Sequence, residues 1–170
     1  MSTESFNMYR ASIPVLLRHL SNLSAVLEKA AADAEARKID PAVFINARLA
    51  PDMYPLARQI QLVSDSAKGC GARLGGLDVP SFADTETTFA ELQERIAKTA
   101  AFLKTVSEDV VNQSAARTVT IKLPNREINL IGMDYLLDFV LPNFFFHITT
   151  AYAILRHNGV ELGKRDFMGA

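Results

Sequence analysis

Residues 135–157, YLLDFVLPNFFFHITTAYAILRH, decide how the rest of the chain is read. No other stretch is as dense in aromatic and aliphatic side chains, and one histidine, His147, sits inside it. At about 100° per residue, Met133, Leu137, Val140, Phe144, Ile148, Ala151 and Leu155 fall on one wide face of a helix. Tyr135, Phe139 and Phe146 fall on another side, together with Ala153. The first face suits the core of a helical bundle. The second needs a cover of its own, which predicts a homodimer with Tyr135, Phe139 and Phe146 as its face. The run is long enough to span a bilayer, but Asp138, Pro142, Asn143 and His147 interrupt it. A buried soluble helix is the better fit. Pro142 frees the carbonyl of Asp138, so a kink is expected one turn before His147.

Three further stripes match this helix. Phe6, Tyr9, Ile13, Leu16, Leu20, Leu23, Leu27, Ala30 and Ala34 step by 3 and 4, the seam of an amphipathic helix. Pro14 inside it predicts a kink or a separate first turn. Asp40-Pro41 can start one short helical turn in the connection that follows. The second long helix is expected from about Pro51 to Leu74, on Met53, Leu56, Ile60, Val63, Ala67, Cys70 and Leu74. Pro51 and Pro55 would sit at its start, Asp52 in its first turn, and Gly75-Gly76 at its end. The third carries Phe89, Leu92, Ile96, Thr99, Leu103, Val106 and Val110. Asp84 or Thr85 is expected to cap it, with Glu91, Glu94, Arg95, Lys98 and Lys104 marking its outer face.

Between the third and fourth helices the period changes to two. Val119, Ile121 and Leu123 alternate with polar residues, and after Pro124-Asn125 so do Ile128 and Leu130. This predicts a β-hairpin over about 117–131, lying on the bundle with its apolar side down. Gly132 ends the second strand. The fold class is therefore all-α, a four-helix bundle with a small hairpin inserted before the last helix. At 170 residues it is read as a single domain, 1–170.

Composition excludes several classes of function. A net charge of −1 with scattered Lys and Arg leaves no footprint for nucleic acid or for an anionic membrane surface. MSTESFNMYR has no basic region followed by an apolar core, so no signal peptide is expected. The single Cys70 fits a reducing, cytoplasmic setting and reads as a small core residue. No phosphate-binding, zinc-protease or serine-hydrolase motif occurs.

The remaining chemistry rests on three histidines: His19, His147 and His157. His147 and His157 are ten residues apart, about 15 Å along a straight helix. The three therefore cannot share one metal ion. The plainest role of His147 is a partly buried histidine bonded to a polar neighbour. Its functional role would be in a pocket at the bundle mouth, with Asn143 and Asp52 as further polar lining. Asp52 doubles as a helix N-terminal charge in the plainer reading, and His157 as a solvated helix-end residue.

RLAPDMYPLARQIQLVSDSAKG at 48–69 and LPNFFFHITTAYAILRHNGVELGKRDFMG at 141–169 resemble a bacterial family of unknown function. That family is placed within the DinB/YfiT-like four-helix-bundle superfamily. The resemblance implies the same bundle and a tendency to dimerise. The superfamily commonly holds a divalent metal with one histidine from the second helix and an HxxxH pair from the last. Here Asn143 and His147 occupy the spacing of that pair, so only His147 matches a ligand position. In the second helix Asp52 and Gln59 are the nearest polar substitutes. The expectation is thus a small-molecule-binding or degenerate-enzyme domain with a pocket near His147 and no cofactor. The alternatives are a metal-dependent transferase or hydrolase of the DinB type, with His147 as metal ligand, and a non-catalytic dimeric interaction protein.

Overall fold

The computed structural model describes residues 7–169. Phe6, the first position of the first stripe, lies outside them. Helix α1 spans Met8–Arg37 and is capped by Asn7, whose side chain accepts from the Arg10 amide. It runs through Pro14 as one element, with the proline ring on the exposed side and no separate first turn. Ile13, Leu16, Leu20, Leu23, Leu27, Ala30 and Ala34 are buried as the stripe predicts. The short helix α2, Pro41–Ile45, is capped by Asp40 with Pro41 in its first turn.

Helix α3 spans Leu56–Gly75, later than the sequence suggests. Pro55 disfavours helical backbone at Tyr54, so the helix starts only beyond it, and Pro55 is its N-cap. Asp52 consequently lies in an exposed turn before the helix instead of in its first turn. Arg48 closes that turn by donating to the carbonyls of Pro51 and Met53. Gly76, with φ +67°, ends α3 in the left-handed conformation that glycine tolerates.

Helix α4, Phe89–Leu103, is capped by Thr88 in a reciprocal box with Glu91, not by Asp84 or Thr85. A turn later α5, Glu108–Asn112, buries Val111 where the continuous stripe would have used Val110. Strands β1, Thr118–Leu123, and β2, Arg126–Ile131, pair antiparallel around Pro124-Asn125, with Val119 and Ile121 turned inward. The chain leaves β2 through Gly132, where a Cβ would stand 2.1 Å from the Ser114 carbonyl oxygen, so no other residue fits.

The last long helix has three parts: α6, Gly132–Asp134, a π-helical segment, Tyr135–Val140, and α7, Leu141–His157. The π turn answers the Pro142 problem. The Leu141 amide bonds the carbonyl five residues back, at Leu136, which makes room for a ring that an α-turn would drive into the Asp138 carbonyl. One extra residue per turn slides the buried stripe. Beyond Val140, Phe144, Ile148, Ala151 and Leu155 are buried as expected. Before it, Tyr135 and Leu136 enter the core, while Met133 and Leu137 are each 46 % exposed. A straight-helix projection places Tyr135, Met133 and Leu137 the other way round. The chain leaves α7 near Gly159, and α8, Lys164–Met168, returns to α1. There Asp166 pairs with Lys29, and Asn22 donates to the Phe167 carbonyl.

The core runs continuously through α1, α3, α4 and α7. No described helix is long and apolar enough to cross a membrane.

Candidate functional site

Gln59 in the first turn of α3 and His147 in the middle of α7 meet across the bundle, with Gln59 Oε1 2.8 Å from His147 Nδ1. The Gln59 amide nitrogen donates to the Tyr54 carbonyl at 3.1 Å. That bond fixes which end of the amide faces the ring, so the imidazole must donate from Nδ1. His147 Nε2 is left with its lone pair, bonded to no other described residue and not sealed from solvent. Burial lowers the proton affinity of His147, and the Arg58 guanidinium adds to that. The neutral ring is thus a hydrogen-bond acceptor or base at Nε2.

One exposed aromatic ring touches the imidazole, and a second lies against the neighbouring Arg58. Phe146, 57 % exposed, meets the imidazole edge-to-face at 5.2 Å between centroids. Tyr54, 58 % exposed, lies against Arg58, with the guanidinium carbon 5.8 Å from its ring centre.

Arg58 belongs to a closed ring of polar contacts. Its Nη1 donates to Asp84 Oδ2 at 2.6 Å and to Gln61 Oε1 at 3.1 Å. Gln61 donates to Glu86 at 3.0 Å, Arg95 donates to Glu86 at 2.7 Å, and Arg95 Nη2 lies 2.9 Å from Asp84 Oδ1. Arg95 also reaches Asp65 and the Ala83 carbonyl, and its side chain is only 1 % exposed. Burial alone would raise the Glu86 carboxyl, but its bonds to Arg95, the backbone and Gln61 outweigh this and hold it below the usual range. Arg95 therefore straps segment 77–88 onto α3 and α4. The outer-face assignment of Arg95 is wrong for a positional reason. It lies three residues after Leu92 and four before Thr99, both fully buried.

The other expected site residues fare differently. Asn143 donates its amide to the Phe139 carbonyl at 2.6 Å, patching the backbone beside the π segment. Asp52 is exposed in its turn, and the partners of Arg58 and His147 are Asp84 and Gln59 in its place. His19 packs edge-on against Phe145 at 4.9 Å, on another side of the last helix from His147. Burial, then Arg18, lowers its proton affinity. His157 is exposed. Cys70 is buried, and burial pushes its thiol up to about 12.

The dimer-face assignment changes too. Tyr135 is 1 % exposed, stacks on Phe139 and accepts from Arg73, so it is a core residue. The π turn carried it inward. Phe139 is half-buried against the core, and of the three only Phe146 is exposed.

The three-histidine set of the superfamily is incomplete around His147. The last helix offers one imidazole followed by Ala151, and both amides nearby, Asn143 and Gln59, already hold other partners. Among the described residues no three His, Cys, Asp or Glu side chains cluster as a metal site. A groove of about 780 Å³ lies between α1 and α4, over Leu17, Leu20, Ile96 and Ala100, and is lined by none of Gln59, His147, Asn143, Asp52 and Arg58.

The family described as Domain of unknown function (DUF1993) matches the chain over residues 8–168. A crystal structure of a DinB family member from Shewanella denitrificans is similar at a TM-score of 0.88 and 44 % identity. The match covers 95 % of this chain and 92 % of that one. No curated protein matches the chain.

Proposed function

Because the chain belongs to the DUF1993 family, within the DinB-like superfamily, we propose that it is a bundle protein that binds a small molecule at the Gln59–His147 pair without a metal ion. The observation that carries this reading is the fixed tautomer. Gln59 is anchored to the Tyr54 carbonyl, and His147 is thereby held with Nε2 unpartnered and the exposed Phe146 ring beside it. Aromatic walls with one or two oriented polar groups are what small-molecule sites use. The ligand would offer a hydrogen-bond donor to Nε2. The protein would act in the cytoplasm of a bacterium, where the lone thiol of Cys70 stays reduced.

The test is a fragment screen read by amide and imidazole NMR signals. Shift changes gathered on Gln59, His147, Tyr54 and Phe146, and lost in His147→Ala, support the reading. Fragments that bind only elsewhere would sink it. Stoichiometric zinc, nickel or manganese in untagged protein, released by His147→Ala, would replace it with the metal-dependent reading.

A non-catalytic homodimer is the second reading. It is favoured by the exposure of Met133, Leu137 and Phe146 along one helix.

A further inference from the structure

Arg58 is held at one nitrogen only. Asp84 and Gln61 both accept from Nη1, and no described residue bonds Nη2 or Nε. The side chain remains one-third exposed. On a guanidinium, Nε–H and the Nη2 hydrogen that lies beside it form a side-on fork, with the spacing of the two oxygens of a carboxylate. The contacts on Nη1 therefore leave that fork open.

The ring around Arg58 makes the open fork rigid. Asp84 has both oxygens engaged, Oδ2 by Arg58 and Oδ1 by the buried Arg95, so it cannot swing away with its loop. Gln61 is fixed in turn by Glu86, whose other oxygen is bonded by Arg95. Both supports of Arg58 thus lead back to one buried guanidinium. An arginine held this way loses less side-chain freedom on binding than a free surface arginine does. Tyr54 lies against one face of the group, and the charge of Arg58 is felt at His147.

We infer that Arg58 is the anion anchor of the site and that the ligand carries a carboxylate, taken side-on by Nε and Nη2, with a flat apolar body lying against the exposed Tyr54 ring. This deepens the reading of the Gln59–His147 pair as a small-molecule site and rests on it. Arg58 contributes the bidentate geometry, and the network behind it contributes no surplus charge. Arg58, Arg95 and Lys68 are matched by Asp65, Asp84 and Glu86. Selectivity for a carboxylate would come from the fork's shape, and a point cation would not reproduce it.

The probe is benzoate, with benzamide as its neutral counterpart of the same shape. Both are titrated into the intact protein while the Arg58 Nε–H, the His147 ring and the backbone amides are followed by NMR. Benzoate should move the Arg58 Nε–H and the His147 ring together and bind at least about tenfold more tightly than benzamide. Arg58→Gln should remove that preference, and Arg58→Lys, which keeps the charge and loses the fork, should remove most of it. Equal binding of both probes at His147, or an undiminished preference in Arg58→Lys, overturns the anchor and leaves the small-molecule site standing. Benzoate that shifts only residues away from Arg58 also overturns the anchor. If, in addition, no fragment of any class shifts His147, the site itself falls.

Discussion

Gln59 and His147, 88 residues apart in the chain, share a hydrogen bond of 2.8 Å in which the histidine is the donor. The direction matters because it makes the ring's remaining chemistry depend on the charge of residue 59.

Gln59→Glu places a carboxylate on the Nδ1–H. An opposite charge in contact favours imidazolium, so the proton affinity of His147 should rise by about 1–3 pH units from its lowered position. Histidine ring signals followed against pH measure this directly. An unchanged titration would mean that residue 59 does not govern the ring.

The acid limb of stability should fall in two stages. His147 and His19 bind protons less readily in the fold than in the unfolded chain, whose histidines titrate near 6.5. The unfolded state therefore takes up more protons as the pH drops below 6.5, and stability is lost from there downward. Glu86, Glu91 and Asp166 are shifted in the same direction, below ordinary values of 4.5, 4.5 and 3.8, so their stage comes at lower pH. Their contribution holds above those values and is lost as the pH falls through them. Urea midpoints at a series of pH values resolve the two stages. The His147→Asn variant should flatten the first, and a single acid transition in the wild type would contradict the assignment.

Arg95→Met leaves Glu86 buried without its cation and frees segment 77–88. The expected loss is about 3 kcal/mol, at the low end for a broken buried pair because Asp84 and Asp65 can turn to water. Lys98→Ala, which breaks an exposed i,i+4 pair with Glu94, should cost under about 0.5 kcal/mol. Equal costs in urea unfolding would show that the strap contributes no more than a surface ion pair.

If the π turn is one added residue, deleting the exposed Leu137 should restore an α-helical repeat and keep Tyr135 in the core. The deletion should cost less than about 2 kcal/mol. Deleting Thr149, which would rotate the buried face of α7 by one residue, should prevent folding. Circular dichroism with thermal melts separates the two, and the reverse order of stabilities would refute the insertion.

Exposure separates the aromatic residues once grouped as a dimer face. If the protein dimerises through the last helix, Phe146→Glu yields a folded monomer by light scattering. Tyr135→Glu should unfold the chain, because a charge there replaces a buried ring and strands Arg73. A wild-type monomer at tens of micromolar would dispose of the dimer.

The bundle was legible because each long helix repeats its apolar residues every three or four positions, and burial follows those stripes through α1, α3, α4 and α7. The hairpin was legible for the same reason at period two. Errors arose where the backbone leaves its ideal repeat. Tyr135 and Leu137 exchange sides because a π turn lies between them and Val140, and only the Pro142 position hinted at it. Arg95 was misplaced by its charge, although its spacing from Leu92 and Thr99 pointed inward. His147 stands out in the sequence as a histidine inside the last helix's apolar run. Its partner Gln59 was visible only as a polar residue in the second helix. The acids of segment 77–88 carry no periodic signal, so their closure around Arg58 depends on a loop path that no local rule supplies.

Cys70 turns the fold into its own reporter. It is the only sulfhydryl in the chain, it sits at full burial on α3, and its proton is held too firmly for the thiolate to form near neutrality. A disulfide reagent can therefore reach it only when the packing around α3 opens. The rate of its modification reports how often that packing opens, with no label introduced.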